Sequence, residues 1–492
     1  MKTKKILCLL MAFAVAPSLL FSCSSSNDGG FSGDIENTEK AGDAEATTEN
    51  PLYIDDLPEK NYDKAKFKMM TFNDYDLTHF DLVIEEQIGE IVNDSIYLAN
   101  RLVQDRFNIE FEQTYADSCW NMQNNLKKIV VSGTESCDAV LLLDRYAMNL
   151  AMEGKYFYTM KELPYVNLEK HYWDQQLQKD LTVGNVLYFT YGANMLSSYD
   201  LICFLVFNKQ LVIDLGLENI YELVRNGKWT IDKMYEMAAQ ATLDLDGDGK
   251  MTKDDRYGVL CSPNYYYPGF WAAERIPLIG KDADDMPFFN VPGNEKLFTL
   301  FDKLYDYANS GSEYIPDWSM ISCLPLFTRG QGLISNATMY AVQSLRDMEI
   351  DYGIIPYPSL YEKNPGEPYS TRLCLGIPLV VPVTADPERA SVILEALASE
   401  YQKRVIPAYY DVAVQTKSTR DEESIEVLDM LLANRFIDLG DTVWMDSARS
   451  QYEGLFQNKN NTFQSVTEKI EAKVAKTLEK AIEAFQTANS GG

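Results

Sequence analysis

The fold turns on residues 66–144. "KFKMMTF" (66–72) is a short apolar run with the look of a buried strand. "DLVIEEQIGEIVNDSIYLANRLVQDRF" (81–107) repeats apolar residues at helical spacing, at Ile84, Ile88, Ile91, Ile96, Leu98, Leu102 and Phe107. "NIEFEQTY" (108–115) predicts a strand, "WNMQNNLKKIVVSG" (120–133) a helix stopped by Gly133, and "CDAVLLLD" (137–144) a third strand. Strand–helix–strand–helix–strand is the pattern of a parallel sheet with crossover helices. Such sheets bind ligands beyond the C-terminal ends of their strands. Those ends are Asn73-Asp74-Tyr75 and Asp144-Arg145-Tyr146. Asp74, Tyr75, Asp144 and Arg145 are therefore the first candidate ligand contacts, against the plainer reading of solvated turn residues.

Further along, "YDLICFLVFNKQLVIDLGL" (199–217) carries another strand-like run, and "WTIDKMYEMAAQATLD" (229–244) predicts a helix with Thr230 as N-cap. Strands are expected at 255–262, 331–337, 351–358 and 376–383. The last two hundred residues are mainly helical, most clearly at 386–405 and 463–486.

The N-terminus has its own logic. Lys2, Lys4 and Lys5 precede an apolar run from Ile6 to Leu20, too short for a comfortable membrane span. That is the form of a secretory signal. Leu20-Phe21-Ser22-Cys23 looks like a bacterial lipobox, with Phe21 where a small or aliphatic residue is usual. Cys23 would then bear lipid, at the head of an acidic, polar segment that cannot bury enough surface to fold. The expected organisation is a signal peptide at 1–22 and a lipid-anchored tether at 23–56.

The formal net charge of −29 repels nucleic acid and excludes it as a partner. The body holds Cys119, Cys137, Cys203, Cys261, Cys323 and Cys374, with no CxxC pair to suggest a zinc ribbon. His79 and His171 are the only histidines, which leaves little for Ser-His or Cys-His catalysis. No GxSxG, HExxH or P-loop pattern is present. A glycosidase needs only two carboxylates, and the chain has 73 acidic residues, so a secreted carbohydrate-active hydrolase is the rival reading. The interrupted strand–helix alternation and helix-heavy C-terminal half speak against a (β/α)8 barrel.

Several stretches, in order, resemble the extracellular solute-binding proteins of bacterial ABC importers, the maltose-binding-like branch, in their lipoprotein form. They are "LTVGNVLYFTYGAN" (181–194), "LVFNKQLVIDLGLENIYELVRNGKWTIDKM" (205–234), "FTRGQGLISNATMYAVQSLRDMEIDYGIIPYP" (327–358), "IPLVVPVTADPERASVILEAL" (377–397) and "TRDEESIEVLDMLLANRFIDLG" (419–440). The resemblance implies an α/β, two-lobed fold, each lobe a mainly parallel sheet with flanking helices and the ligand cleft between them. Lobe 1 would be 57–198 plus 376–445, and lobe 2 would be 199–375 plus 446–492. It implies no enzyme, no organic cofactor, a monomer on the outer face of the cytoplasmic membrane, a mono- or oligosaccharide ligand and an ABC permease as partner. A receptor of the same fold feeding a membrane sensor would share every one of these residues.

A sugar offers flat apolar ring faces and many hydroxyls, so aromatic and hydrogen-bonding side chains together suit it. With 31 tyrosines the chain has aromatics to spare. "SPNYYYPGFWAAER" (262–275) reads as an aromatic loop after a strand, offering Tyr266, Trp271 as a ring-stacking residue, and Arg275. Tyr191, Asn194 and Tyr199 lie near the first expected crossing between lobes, and Tyr409 sits in "PAYYD". For any single tyrosine the alternative is a half-buried structural role.

"DLDGDGKMTKDD" (244–255) reads as an EF-hand-type loop. Asp244, Asp246 and Asp248 take positions 1, 3 and 5, Lys250 offers its carbonyl at 7, and Asp255 stands where Glu is usual. A structural calcium ion is the preferred occupant; the alternative is an acidic solvated turn.

Overall fold

The computed structural model describes residues 50–72, 83–134, 137–154, 156–319, 321–342, 345, 351–415 and 422–490. Asp74 and Tyr75 lie outside them, as do the signal segment, Cys23 and most of the tether. Within them the strands are β1 (Ala65–Phe72), β2 (Ile109–Ala116), β3 (Ala139–Leu141), β4 (Cys203–Asn208), β5 (Tyr257–Leu260), β6 (Ile279–Lys281), β7 (Pro287–Phe289), β8 (Glu313–Tyr314), β9 (Gly332–Thr338), β10 (Tyr352–Ile355), β11 (Thr371–Arg372), β12 (Leu379–Val380) and β13 (Arg435–Phe436).

The first sheet has the order β12-β3-β1-β2. β1 pairs parallel with β2 from Ala65↔Ile109 to Phe72↔Ala116, and parallel with β3. The expected crossover helices are there. α1 (Ile91–Phe107) and α2 (Cys119–Ser132) bury one face each, through Ile96, Val103 and Phe107 and through Met122 and Leu126. α2 starts on Ser118, whose hydroxyl accepts from Asn121 N, and stops at Gly133 with φ +67°, a conformation glycine adopts without penalty. α1 is shorter than its periodicity predicted. The Asp94 carboxylate accepts from Ile88 N and Gly89 N, and Gly89 at φ +82° turns the chain, so Ile84 and Ile88 precede the helix. α3 (Asp144–Glu153) leaves the end of β3.

The second sheet runs β10-β4-β9-β5-β8. β5 is parallel to β8 and β9, while β4 is antiparallel to β9 and β10. This sheet is therefore evenly mixed rather than mainly parallel, because β4 enters it from the opposite direction.

Between the sheets the chain crosses on strands laid side by side. Ile202 bridges Leu373 antiparallel, Cys374 N donates to Leu201 O at 3.0 Å, and β11 pairs parallel with β13 through Thr371↔Arg435 and Arg372↔Phe436. After Leu373 the chain reaches β12, which pairs antiparallel with β3. Two helices depart from the simple lobe boundaries. Helix Glu422–Ala433 packs on the second sheet, where Ser424 Oγ accepts from Ile354 N at 3.0 Å. Helix Phe463–Ser490 begins among Phe301, Tyr452 and Phe456 and ends with Phe485 edge-on to Tyr188 at 5.5 Å.

Candidate ligand-binding site

Asp144 stands just beyond the C-terminal end of β3. It is 2 % exposed and accepts from Arg145 N at 2.7 Å and from Gly376 N at 3.2 Å. Gly376 belongs to the chain returning to the first sheet. A Cβ there would stand 1.8 Å from Tyr191 Oη and 2.5 Å from Asp144 Oδ2. A strand end, the approach to the first crossing and the exit of the second thus meet at one point, and only glycine fits it. Burial pushes the Asp144 carboxyl up to about 7, opposed by its two backbone donors. Burial, and then the Asp144 charge, hold the Tyr191 hydroxyl well above the usual phenol range. That hydroxyl is fully buried and has no hydrogen-bond partner among the described residues.

Arg145 carries this point toward the other segments. Its guanidinium lies 4.9 Å from the Tyr146 ring centroid, and Nη1 meets Met445 Sδ at 3.2 Å. Arg449 Nη2 reaches the same sulfur at 3.6 Å. Behind it sits a buried ion network. Arg372 forks onto Asp441 through Nε–Oδ2 and Nη2–Oδ1, the latter at 2.7 Å. Arg449 Nη1 approaches Asp441 Oδ1 at 3.3 Å, and Arg449 Nε approaches Glu453 at 3.2 Å. Arg372 and Asp441 are each 1 % exposed, so each depends on the other to remain charged. Arg372 Nη1 also donates to Asn264 O at 3.0 Å, fastening the helix that follows β5. Sequence reading missed Arg372, Asp441 and Arg449. The available signal was a lone arginine inside the apolar run "TRLCLGIPL" (371–379).

On the β11–β13 ribbon, paired residues share a face and successive residues alternate. Arg372 and Phe436 therefore share one face, and Thr371 and Arg435 the other. On the Arg435 face lies a cavity of about 500 Å³, lined among others by Tyr53, His171, Asp174, Tyr191, Tyr199 and Arg435. Arg435 pairs with Asp174 at 2.5 Å, donates to Ser198 O at 3.1 Å and covers the Tyr199 ring at 4.5 Å. Tyr191 and Tyr199, both expected near the first crossing, meet here.

The remaining expected contacts are elsewhere. "PNYYYPGFWAA" (263–273) is a helix, not a loop. Pro263 opens it, and it is apolar on nearly every side because it is buried on nearly every side. Trp271 is 0 % exposed and edge-on to Phe301 at 5.8 Å, so no ring face is left for a sugar. Tyr266 is likewise core, its hydroxyl 2.9 Å from that of Tyr235. Tyr409 is buried and donates to Asp200 at 2.6 Å. Arg275 braces the ribbon, with Nη1 on Ser370 Oγ at 2.9 Å and its guanidinium over Phe436 at 5.1 Å. Asn194 Oδ1 is buried against Gly192, without a hydrogen-bond partner among the described residues.

The acidic loop closes on itself. Asp244 accepts from Gly247 N and Gly249 N, both at 2.7 Å, and Asp255 accepts from Leu245 N at 2.8 Å and Thr252 N at 2.6 Å. Those backbone donors hold the Asp255 carboxyl below the usual range. Oxygens of Asp244, Asp246 and Asp255 converge within 4.8 Å of one another. Asp248 is outside that set and accepts from Lys250 N at 2.7 Å.

No protein-family model matches the chain, and no curated protein sequence matches it. Solved structures do. An ABC substrate-binding protein from Listeria monocytogenes, in complex with cycloalternan, is 13% identical with a TM-score of 0.52, over 85% of this chain and 100% of that one. A cyclo/maltodextrin-binding protein complexed with maltotetraose is 15% identical with a TM-score of 0.54, over 86% and 97%. UgpB from Mycobacterium tuberculosis, in complex with glycerophosphocholine, is 15% identical with a TM-score of 0.51, over 85% and 98%. The fold is that of the two-lobed substrate-binding proteins.

Proposed function

We propose that this chain, with the substrate-binding-protein fold as its frame, captures an extracellular solute between its two lobes and hands it to an ABC permease. The solute is a carbohydrate, and the protein acts by binding rather than catalysis. The observation that carries the reading is the meeting of Asp144, Tyr191 and Gly376 beside Arg145. Both ends of the crossings meet there, and their meeting fixes where the half-buried Arg145, which unlike Asp144 and Tyr191 is open to a ligand, stands beside Met445. Ligand contacts that differ between open and closed states are what drive a hinge to close.

The chemistry suits a hydroxylated ligand. Arg145 supplies a charged donor, and the buried Asp144 carboxyl holds its backbone in place from behind. The neighbour structures named for cycloalternan and maltotetraose support the sugar class, and the one named for glycerophosphocholine keeps a polyol ester in view. Lipid on Cys23 would keep the receptor beside its permease. The converging oxygens of Asp244, Asp246 and Asp255 fit a hard cation, and calcium there would staple the turn before β5.

Thermal unfolding of the tether-free body against mono- and oligosaccharides tests the reading. A ligand that binds only the folded state raises the melting temperature by mass action. The expected result is a rise with one sugar class and no turnover of it, reduced in Asp144→Asn. A flat response across the panel removes the sugar assignment, and turnover removes the receptor.

A further inference from the structure

We propose that Trp120 and Trp318, one beyond the strand ends of each main sheet, are the stacking faces that hold an oligosaccharide, rather than a single sugar, across the strand-end site. This rests on the reading of the chain as a carbohydrate receptor and names the residues that set the length of its ligand.

The chain has six tryptophans. Trp173, Trp229, Trp271 and Trp444 are buried, whereas Trp120 is 56 % exposed and Trp318 44 %. A single exposed apolar side chain is ordinary. These two are set apart by where they stand. Trp120 lies in the first turn of α2, directly after β2, on the side opposite the buried Met122 and Leu126. Its ring meets Tyr146 edge-on at 5.8 Å, and the Arg145 guanidinium covers the Tyr146 ring at 4.9 Å. Arg145, Tyr146 and Trp120 thus form a continuous row along the C-terminal ends of β3 and β2, with the charged donor at one end and an open indole at the other.

Trp318 occupies the corresponding edge of the second sheet. β5, β8 and β9 are parallel, so their C-terminal ends share that edge, and Trp318 follows β8. Its loop is tied across the end of β5, where Ser262 Oγ donates to Ser319 O at 2.6 Å.

One segment joins the two edges. Met445 meets Arg145 Nη1 at 3.2 Å, and Trp318 Cη2 stands 3.8 Å from the place a Cβ would take on Gly454. Between them the chain winds in turns, with Ser450 N on Met445 O and Tyr452 N and Glu453 N on Arg449 O. At a helical rise, the nine steps from Met445 to Gly454 cover roughly 14–18 Å. That is farther than one pyranose ring reaches. A ligand stacked on both indoles and bonded to Arg145 is therefore a chain of sugars. Stacking on the rings supplies apolar contact, and Arg145 supplies a charge-assisted bond to a hydroxyl.

The test uses the mature chain with malto-, cello- and manno-oligosaccharides of one to four units. Calorimetry gives affinity. Iodide quenching of tryptophan emission reports chiefly on Trp120 and Trp318, because the other four are buried. The expected result is an affinity that climbs with chain length in one series, and protection from iodide by its longest member. Trp120→Ala and Trp318→Ala should each weaken that member about tenfold, with Trp120→Phe and Trp318→Phe recovering most of the loss. Sugar binding that Arg145→Ala abolishes, but that neither alanine variant alters, overturns the platforms and leaves capture at the strand ends intact. A loss confined to one tryptophan overturns the spanning ligand. Equal losses in the alanine and phenylalanine variants, with a lowered melting temperature, make the rings structural and overturn it as well. No binding of any sugar overturns both readings.

Discussion

The acidic loop at 244–255 and the junction around Asp144 and Asp441 use the same side-chain chemistry at opposite distances along the chain. In the loop the carboxylates accept from backbone N–H groups, and Asp255 also from the Thr252 hydroxyl, none of them more than ten residues away. In the junction, Asp144 answers Gly376 and Asp441 answers Arg372, across 232 and 69 residues. The loop is largely exposed, so its charges other than that of the buried Asp255 remain solvated with or without an ion. The junction is dry, so each charge there must be matched by the fold itself. A local motif announces itself in sequence but binds the molecule together weakly; a nonlocal one is silent in sequence and holds the lobes in register.

The largest effect should come from breaking the buried pair. Arg372→Met leaves Asp441 with only the longer Arg449 contact and should cost about 3–5 kcal/mol. Pairing it with Asp441→Leu should recover most of that loss, because a buried ion pair is often replaceable by well-packed hydrocarbon. Urea unfolding of both single variants and the double variant measures it. Equal, additive losses would show that the network does not act as a unit.

The pH dependence comes next. Asp144 has its folded value raised to about 7, against about 3.9 when unfolded. Below both values the carboxyl is protonated in either state. Between about pH 4 and 7 the unfolded chain releases its proton and the folded one retains it, so stability falls as pH rises, at up to about 1.4 kcal/mol per pH unit for this group. Glu395 and Asp438, also raised to about 7 by burial, and Asp180, raised to about 6, act in the same direction. Asp144→Asn should flatten the curve by its own share. An unchanged slope would mean that water reaches the carboxyl.

Gly376→Ala should cost about 1–3 kcal/mol through its clash with Tyr191 Oη. Tyr191→Phe alone removes a hydroxyl that has no partner among the described residues, and should leave the melting temperature unchanged or higher. It should also restore part of the Gly376→Ala loss. If the double variant recovers none of the Gly376→Ala loss, Tyr191 is not what the new methyl meets.

How far the sequence could be read follows the same division between local and distant. β1, β2, α1 and α2 were legible because period and capping are local properties, and the cap at Thr230 is where its sequence put it, accepting from Lys233 N at 3.3 Å. The helix 263–273 was misread because three tyrosines and an internal proline look like a loop unless burial on all sides is known. The place of Asp144 beyond the end of β3 was legible from strand-end logic alone. Arg372, Asp441 and Arg435 were not, since their meaning lies in a ribbon whose strands are more than sixty residues apart. Trp271 failed as a stacking residue for the converse reason: aromatic character is visible in sequence, but the direction a ring faces is not.

The smallest effect should belong to the loop. Calcium at millimolar concentration, acting on a site of roughly millimolar to tenth-millimolar affinity, stabilises by about 0.4–2 kcal/mol. Thermal unfolding in EDTA, then with calcium restored, should therefore shift the melting temperature by a degree or so to a few degrees. Asp244→Asn tests whether the shift belongs to this loop. The carboxylate loses charge while its amide oxygen still accepts one backbone bond, so the turn should persist and only the response to calcium should vanish. A variant that loses stability in EDTA as well would show that Asp244 works by holding Gly247 and Gly249. The loop would then be a structural turn whose carboxylates already have all the partners they need.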